Sequence, residues 1–314
     1  MIKIFKNELD KQEVKQIEQI EDNCWINLIN PTPDEIKSVV ENLKIDEDLI
    51  TKVLDEEELP RIEKTDEATL VVVDCPYWVD MHVKNKYRTY PLGIIICNDL
   101  HVITVSLKEF SFLEDFENNN VKTFYTYKKT RFLIQILLKT AALYQKVLSV
   151  VNKDITIKER LLYKSTDNKL LVELLDIEKT LVYFITSLKA NDIVLDKLSK
   201  GNTFSMYDED VELLEDAVIE NKQGIEMCSI YREILGTVTD TYGTIVSNNL
   251  NVAMKFLAAI TIVLSIPTMI SSFFGMNVNL GIFAVNDYSF PIIFIASGII
   301  ALLIAWILKK KNML

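Results

Sequence analysis

The stretch Phe256-Leu-Ala-Ala-Ile-Thr-Ile-Val-Leu-Ser-Ile-Pro-Thr-Met-Ile-Ser-Ser-Phe-Phe274, followed by Gly275-Met276-Asn277, decides how the rest of the chain is read. It holds 19 residues without a charge. As a helix it would be about 28 Å long, close to the thickness of a bilayer's hydrocarbon core. A second apolar run, Pro291–Leu308, follows after a short connection. A lone run of this kind could be a buried core helix. Two of them, paired at the end of the chain, read as a membrane-spanning hairpin.

Charge gives the hairpin a direction. The connection from Gly275 to Phe290 carries no Lys or Arg, whereas Lys309, Lys310 and Lys311 follow the second run directly. Lysines beside a span favour the cytoplasmic side, and Trp306 sits where interfacial aromatics belong. The C-terminus is therefore expected inside. Two spans put the N-terminus inside too, with Gly275-Met276-Asn277 at the outer mouth of the first. The start, MIKIFKNELD, lacks the apolar core of a signal peptide.

Residues 1–250 hold 44 acids against 30 bases, a net charge of −14. Such a surface repels nucleic acid and attracts cations. Cys24, Cys75, Cys97 and Cys228 are scattered without CxxC spacing and read as buried, reduced thiols. His82 and His101 are the only histidines and read as surface or core residues. There is no P-loop, dinucleotide fingerprint or Ser/His/Asp pattern, so an enzyme is not expected.

Three regions are expected: an α/β part over 1–125, a helical region and stalk over 126–250, and the transmembrane pair over 251–314. CWINLIN, ATLVVVDC, LGIIIC and HVITVS read as strands, the last two joined by a turn at Asn98-Asp99. PTPDEIKSVVENL reads as a helix begun by Thr32 or Pro33. From about Thr130 the pattern predicts two antiparallel helices. One very long helix follows, from Asp208 to Phe274, with an apolar stripe from Leu214 to Ile245. Gly224, Gly236 and Gly243 each cost it about 1 kcal/mol against alanine, so packing must hold it.

One face of the first span is different from the rest. Asn251, Met254, Ala258, Thr261, Ser265, Thr268 and Ser272 recur at spacings of three and four, which keeps them on one side. Each is small, polar or Met. Close helix packing favours small residues. A pore lining would also use them, and one such helix lines a pore only in a symmetric oligomer. A membrane-anchored sensor or scaffold that conducts nothing is the rival from another class, and it has no need of such a stripe.

These residues resemble the CorA-type magnesium transporters, the two-span metal-ion transporters with a Gly-Met-Asn signature. Gly275-Met276-Asn277 stands in the signature's place, with the long helix before it and the lysines at the end. The resemblance covers essentially the whole chain. It implies an α+β cytoplasmic domain, a long stalk helix and two C-terminal spans, assembled as a funnel-shaped homopentamer in the plasma membrane. It implies a selectivity filter at Gly275, Met276 and Asn277. It also implies constrictions at Asn251, Met254 and Leu257, and an aspartate ring at Asp240. A regulatory Mg²⁺ site would join Asp216 to Asp80 of a neighbouring subunit. Mg²⁺ is thus expected as both cargo and regulator. Two departures bear on the ion: Phe274 stands where the family usually has tyrosine, and the loop after Asn277 carries only Asp287 as a charge. A zinc-transporting or a cobalt/nickel-transporting relative is therefore the alternative.

Overall fold

A computed structural model describes residues 1–8, 13–78, 87–97, 100–162, 168–201, 203–277 and 288–313. They divide into two compact units, Met1–Thr237 and Val238–Leu314.

The first unit is built on a seven-stranded sheet. Its strands are β1 (Ile2–Asn7), β2 (Val14–Ile17), β3 (Trp25–Ile29), β4 (Arg61–Lys64), β5 (Ala68–Trp78), β6 (Tyr87–Cys97) and β7 (His101–Ser106). Their spatial order is β2-β1-β3-β7-β6-β5-β4, antiparallel throughout except for the parallel β3–β7 pair. The strands expected from the sequence all form. The short strands β1, β2 and β4 go beyond that expectation, because their apolar alternation is too brief to stand out. The turn at Asn98-Asp99 lies outside the described residues.

Both faces of the sheet are buried, and the period-two rule sorts its side chains between two cores. Val71, Val73, Leu92, Ile94 and Val102 point into one. Leu70, Val72, Ile95, Ile103 and Val105 point into the other. The second core is closed by α1 (Pro33–Leu43) and α2 (Asp48–Thr51). Thr32 caps α1: its hydroxyl accepts from the Glu35 N–H, and Glu35 reaches back to the Thr32 N–H, a complete capping box.

The first core is closed by α3 (Ser111–Glu117), α4 (Lys129–Leu162), α5 (Asn168–Ser199) and the start of α6 (Asp208–Phe274). Trp25 anchors it, fully enclosed, stacked on Phe5 and edge-on to Phe116, Phe124 and Phe132. The indole N–H donates to Thr104, which donates to Asn27, which donates to Glu117, so the polar groups under this cluster are satisfied in series. Helices α4 and α5 are antiparallel, as expected. Lys158 pairs with Glu173 near their connection, and Tyr144 meets Phe184 farther along, so partners run backward on α5 as the chain runs forward on α4.

The asparagine side chain of Asn191 finishes the sheet edge. β4 covers β5 only as far as Val72, opposite Arg61. Pro60 precedes it and has no N–H to offer the ladder. At Asp74 the amide of Asn191 takes over: its oxygen accepts from the Asp74 N–H at 2.9 Å and its nitrogen donates to the Asp74 carbonyl at 2.9 Å. One side chain thus supplies both bonds that a continuing strand would have made.

Helix α6 is continuous over 67 residues, within the bounds expected from the sequence. In the first unit Leu214, Ala217, Cys228 and Leu235 are its buried hydrophobic side chains. Gly224 packs closely there: a Cβ would lie 3.3 Å from the Leu188 side chain, which would have to shift by a few tenths of an ångström, and the Leu188 carbonyl accepts from Asn221. Gly236 and Gly243 meet nothing within 4 Å. All four cysteines are free and buried.

Burial raises the Asp74 carboxyl above its ordinary pKa of 3.8, and a hydrogen bond from Ser187 only partly offsets this. The folded state therefore holds that proton more tightly than the unfolded chain does. Stability is greatest below the unfolded pKa and falls as pH rises through the folded value. Asp74→Asn removes the ionisable group and is expected to raise the thermal midpoint at about pH 7.5 by a few degrees, with the gain vanishing near pH 4. Thermal denaturation of the full chain in detergent at the two pH values checks this.

Candidate ion-conducting site

The second unit contains the C-terminal part of α6 and a further helix, α7 (Ser289–Lys310). Among the described residues three helices are long and apolar enough to cross a membrane: α4, α6 and α7. Burial separates them. In the apolar window of α4, 56% of residues are buried, whereas in α6 and α7 only 6% and 17% are. The apolar side chains of α4 fill the core beside the sheet, while those of α6 and α7 face outward. Ala259 and Ile266 on α6, and Ser297 and Leu308 on α7, are the buried exceptions.

The helical part of the site is the face of α6 from Asn251 to Ser272. Asn251, Met254, Leu257, Ala258, Thr261, Ser265, Thr268 and Ser272 are all exposed. At 100° per residue they share an arc of about 120°. The two large members, Met254 and Leu257, are 60% and 62% exposed.

The hydroxyls on this face are oriented by the helix itself. Thr261 donates to the Leu257 carbonyl at 2.9 Å, Thr268 to Leu264 at 3.1 Å and Ser272 to Thr268 at 2.8 Å. Ser265 donates to Ile262 at 2.9 Å. Each hydroxyl has one proton and spends it on its own backbone. What remains is the oxygen's capacity to accept. The face therefore presents a ladder of acceptors to whatever lies against it, which suits a cation's bound water, a donor. Sequence spacing identified these residues but could not reveal which way their protons point.

Pro267 interrupts the backbone ladder on the side of α6 away from this face. It lies inside α6 and has no N–H, so the Val263 carbonyl loses its usual partner. The helix then ends at Phe274 with two short closures, Gly275 N–H to the Ser271 carbonyl at 2.9 Å and Met276 N–H to Phe273 at 3.4 Å. A Cβ at Gly275 would lie 3.3 Å from the Ser271 carbonyl oxygen and 3.6 Å from that of Ser272, so the turn is tight against the last helical carbonyls. Met276 and Asn277 follow, both exposed at the helix end. Phe274 occupies the last helical position.

Asp216 and Asp240 are both exposed on α6, in different units. Asp80, His82 and Asp287 lie outside the described residues. Among the described residues no group of three His, Cys, Asp or Glu side chains could hold a metal ion. His101 is buried in the first unit, its Nδ1 3.5 Å from the Cys24 Sγ, and burial lowers its pKa, which keeps it neutral.

Comparison with known proteins follows the same lines. The family described as CorA-like Mg²⁺ transporter protein matches residues 21–310. The cobalt/magnesium transport protein CorA of Methanocaldococcus jannaschii is 26% identical over 292 residues, covering 92% of this chain and 90% of that one. The complete structure of the CorA magnesium transporter from the same organism superposes with a TM-score of 0.85 at 23% identity, over 98% of this chain and 96% of that one. The full-length CmaX protein gives a TM-score of 0.73 at 12% identity, over 100% and 97% of the two chains.

Proposed function

The chain belongs to the CorA-like Mg²⁺ transporter family, a family of membrane transporters and not of enzymes, and on that premise we propose how this chain carries divalent cations. The observation that carries the reading is the acceptor-lined face of α6 ending in Gly275-Met276-Asn277. Five copies would place five such faces around one axis, with Mg²⁺ passing between them. We keep the division into residues 1–125, 126–250 and 251–314 as cytoplasmic domain, helical region with stalk, and two-span membrane pair, with both termini inside.

Mg²⁺ surrenders its water reluctantly. A ring of Asn277 amides accepts hydrogen bonds from that water without stripping it. Carboxylates in the same place would hold the ion longer. Below the mouth, Ser272, Thr268, Ser265 and Thr261 continue the acceptors, their own protons already engaged. Met254 and Leu257 form a hydrophobic constriction that empties of water when narrow, with Asn251 and Asp240 as rings beyond it. No His or Cys lies on this face, which supports hard cations over zinc.

Regulation belongs to the same proposal. The soluble part repels itself when five copies surround one axis. Mg²⁺ held between Asp216 of one subunit and Asp80 of the next would offset that repulsion and favour the closed ring. The ion favours only the state that builds its site.

Four outcomes check this reading. Asn277→Ala, reconstituted in liposomes, is expected to lose about 99% of Mg²⁺ flux while circular dichroism is unchanged, a loss of about 3 kcal/mol at the transition state. Flux of Zn²⁺, Co²⁺ and Ni²⁺ in the same vesicles ranks the cargo, and Zn²⁺ ahead of Mg²⁺ would favour the zinc alternative. Native mass spectrometry in detergent is expected to give a pentamer, and only monomers or dimers would refute the shared pore. Asp216→Ala is expected to conduct at internal Mg²⁺ levels roughly tenfold above those that close the wild type, a change of about 1.4 kcal/mol in the regulatory site. Identical Mg²⁺ dependence of flux and of protease protection in the two proteins would place regulation elsewhere.

A further inference from the structure

The second unit carries four lysines, Lys255, Lys309, Lys310 and Lys311, all exposed. None of them has a carboxylate partner among the described residues. In the first unit some lysines are in ion pairs, among them Lys3, Lys6, Lys15, Lys52, Lys139, Lys158 and Lys200; what sets these four apart is their place at the ends of the apolar runs. The four free lysines are not randomly placed. Lys255 immediately precedes the apolar run of α6, and the other three immediately follow that of α7. If each helix crosses a bilayer once, all four lie at one membrane surface.

The end of α7 is a built structure. Asn312 adopts a left-handed conformation, with φ of 54°. Its N–H bonds to the Lys309 carbonyl at 3.1 Å, and the Met313 N–H bonds to the Leu308 carbonyl at 3.0 Å. These two bonds form a Schellman motif, which stops the helix and holds its last turn in place. One turn back, the Lys310 ammonium lies 5.7 Å from the centre of the Trp306 ring, and that ring is 65% exposed. Lys309, Lys310 and Lys311 therefore leave the helix in three directions about 100° apart. A protein docked along one helix face could reach one or two of them. A charged layer perpendicular to the axis reaches all three.

We propose that this lysine collar, with Trp306 as its aromatic anchor and Lys255 at the neighbouring entry, binds the phosphate headgroups of anionic lipids in the leaflet that meets it. The surface attraction per lysine at such a layer is several-fold in local lipid concentration. The carbonyl end of the helix dipole, next to the three lysines, is where cations are favoured. The proposal rests on the reading that α7 crosses the bilayer and is independent of which ion is carried.

Tryptophan fluorescence tests it. The full chain carrying Trp78→Phe is reconstituted in phosphatidylcholine vesicles containing either brominated phosphatidylglycerol or the same fraction of brominated phosphatidylcholine. Trp25 is enclosed in the core, so quenching reports Trp306. Brominated phosphatidylglycerol is expected to quench more strongly. The excess is expected to disappear in about 1 M salt and in the variant K309Q/K310Q/K311Q, and to survive in K309R/K310R/K311R. Should the triple glutamine variant insert poorly, Lys309→Gln and Lys311→Gln decide singly, each losing part of the excess. Equal quenching by the two lipids, or an excess that survives every glutamine variant, overturns the proposal. So does loss of the excess to inorganic phosphate at constant ionic strength, which would mark a small-anion site. Quenching by neither lipid would instead refute the crossing of α7 itself, so the two failures are distinct.

Discussion

A helix in hydrocarbon must satisfy its backbone from within, because no water is there to do so. That constraint governs α6. Its apolar run has no charge, its hydroxyls bond to its own carbonyls, and it ends where Gly275 lets the chain turn tightly against the last ones. The same intrahelical bonds that make Thr261, Thr268 and Ser272 tolerable in an apolar setting leave their oxygens free to accept. The requirement for a stable span and the requirement of the proposed polar lining would thus be met by one arrangement. A serine that donated outward would serve the second less well and the first no better.

The soluble unit follows a different logic. Its sheet is buried on both faces, so every strand position must choose between two cores. The edge at β5 shows how exacting this is. Pro60 leaves the ladder one partner short, and Asn191, more than a hundred residues away in sequence, replaces both missing bonds. Nearby, the raised pKa of Asp74 is what burial of a carboxyl under a helix costs when no cation faces it. The unit tolerates this because its two cores and the Trp25 cluster supply ample burial elsewhere.

Charge is divided between the units as sharply as hydrophobicity. The acids lie almost wholly in the first, and the second keeps four lysines and no described acid except Asp240. Lysines that find partners in a folded domain are held there by geometry. Lysines that find none, at the end of an apolar helix closed by a Schellman motif, are available to something outside the chain. The position of the charge therefore matters more than its amount.

The sequence by itself determined a great deal here. Hydropathy set the ends of both C-terminal helices, the three–four spacing assembled the polar face, and Thr32 with Glu35 announced a capped helix. Each is a local signal, written within a few turns of one element, and such signals survive without a fold. It was silent on Asn191, on the series from Trp25 to Glu117, and on Gly224, because each acts on a partner far away in the chain. The sequence reading put α4 in the helical region, yet by length and composition it too could cross a membrane, although less apolar than α6 and α7; its packing against the sheet sets it apart. Nor could it orient a hydroxyl proton, since the choice between carbonyl and solvent depends on backbone geometry that exists only once the helix has formed.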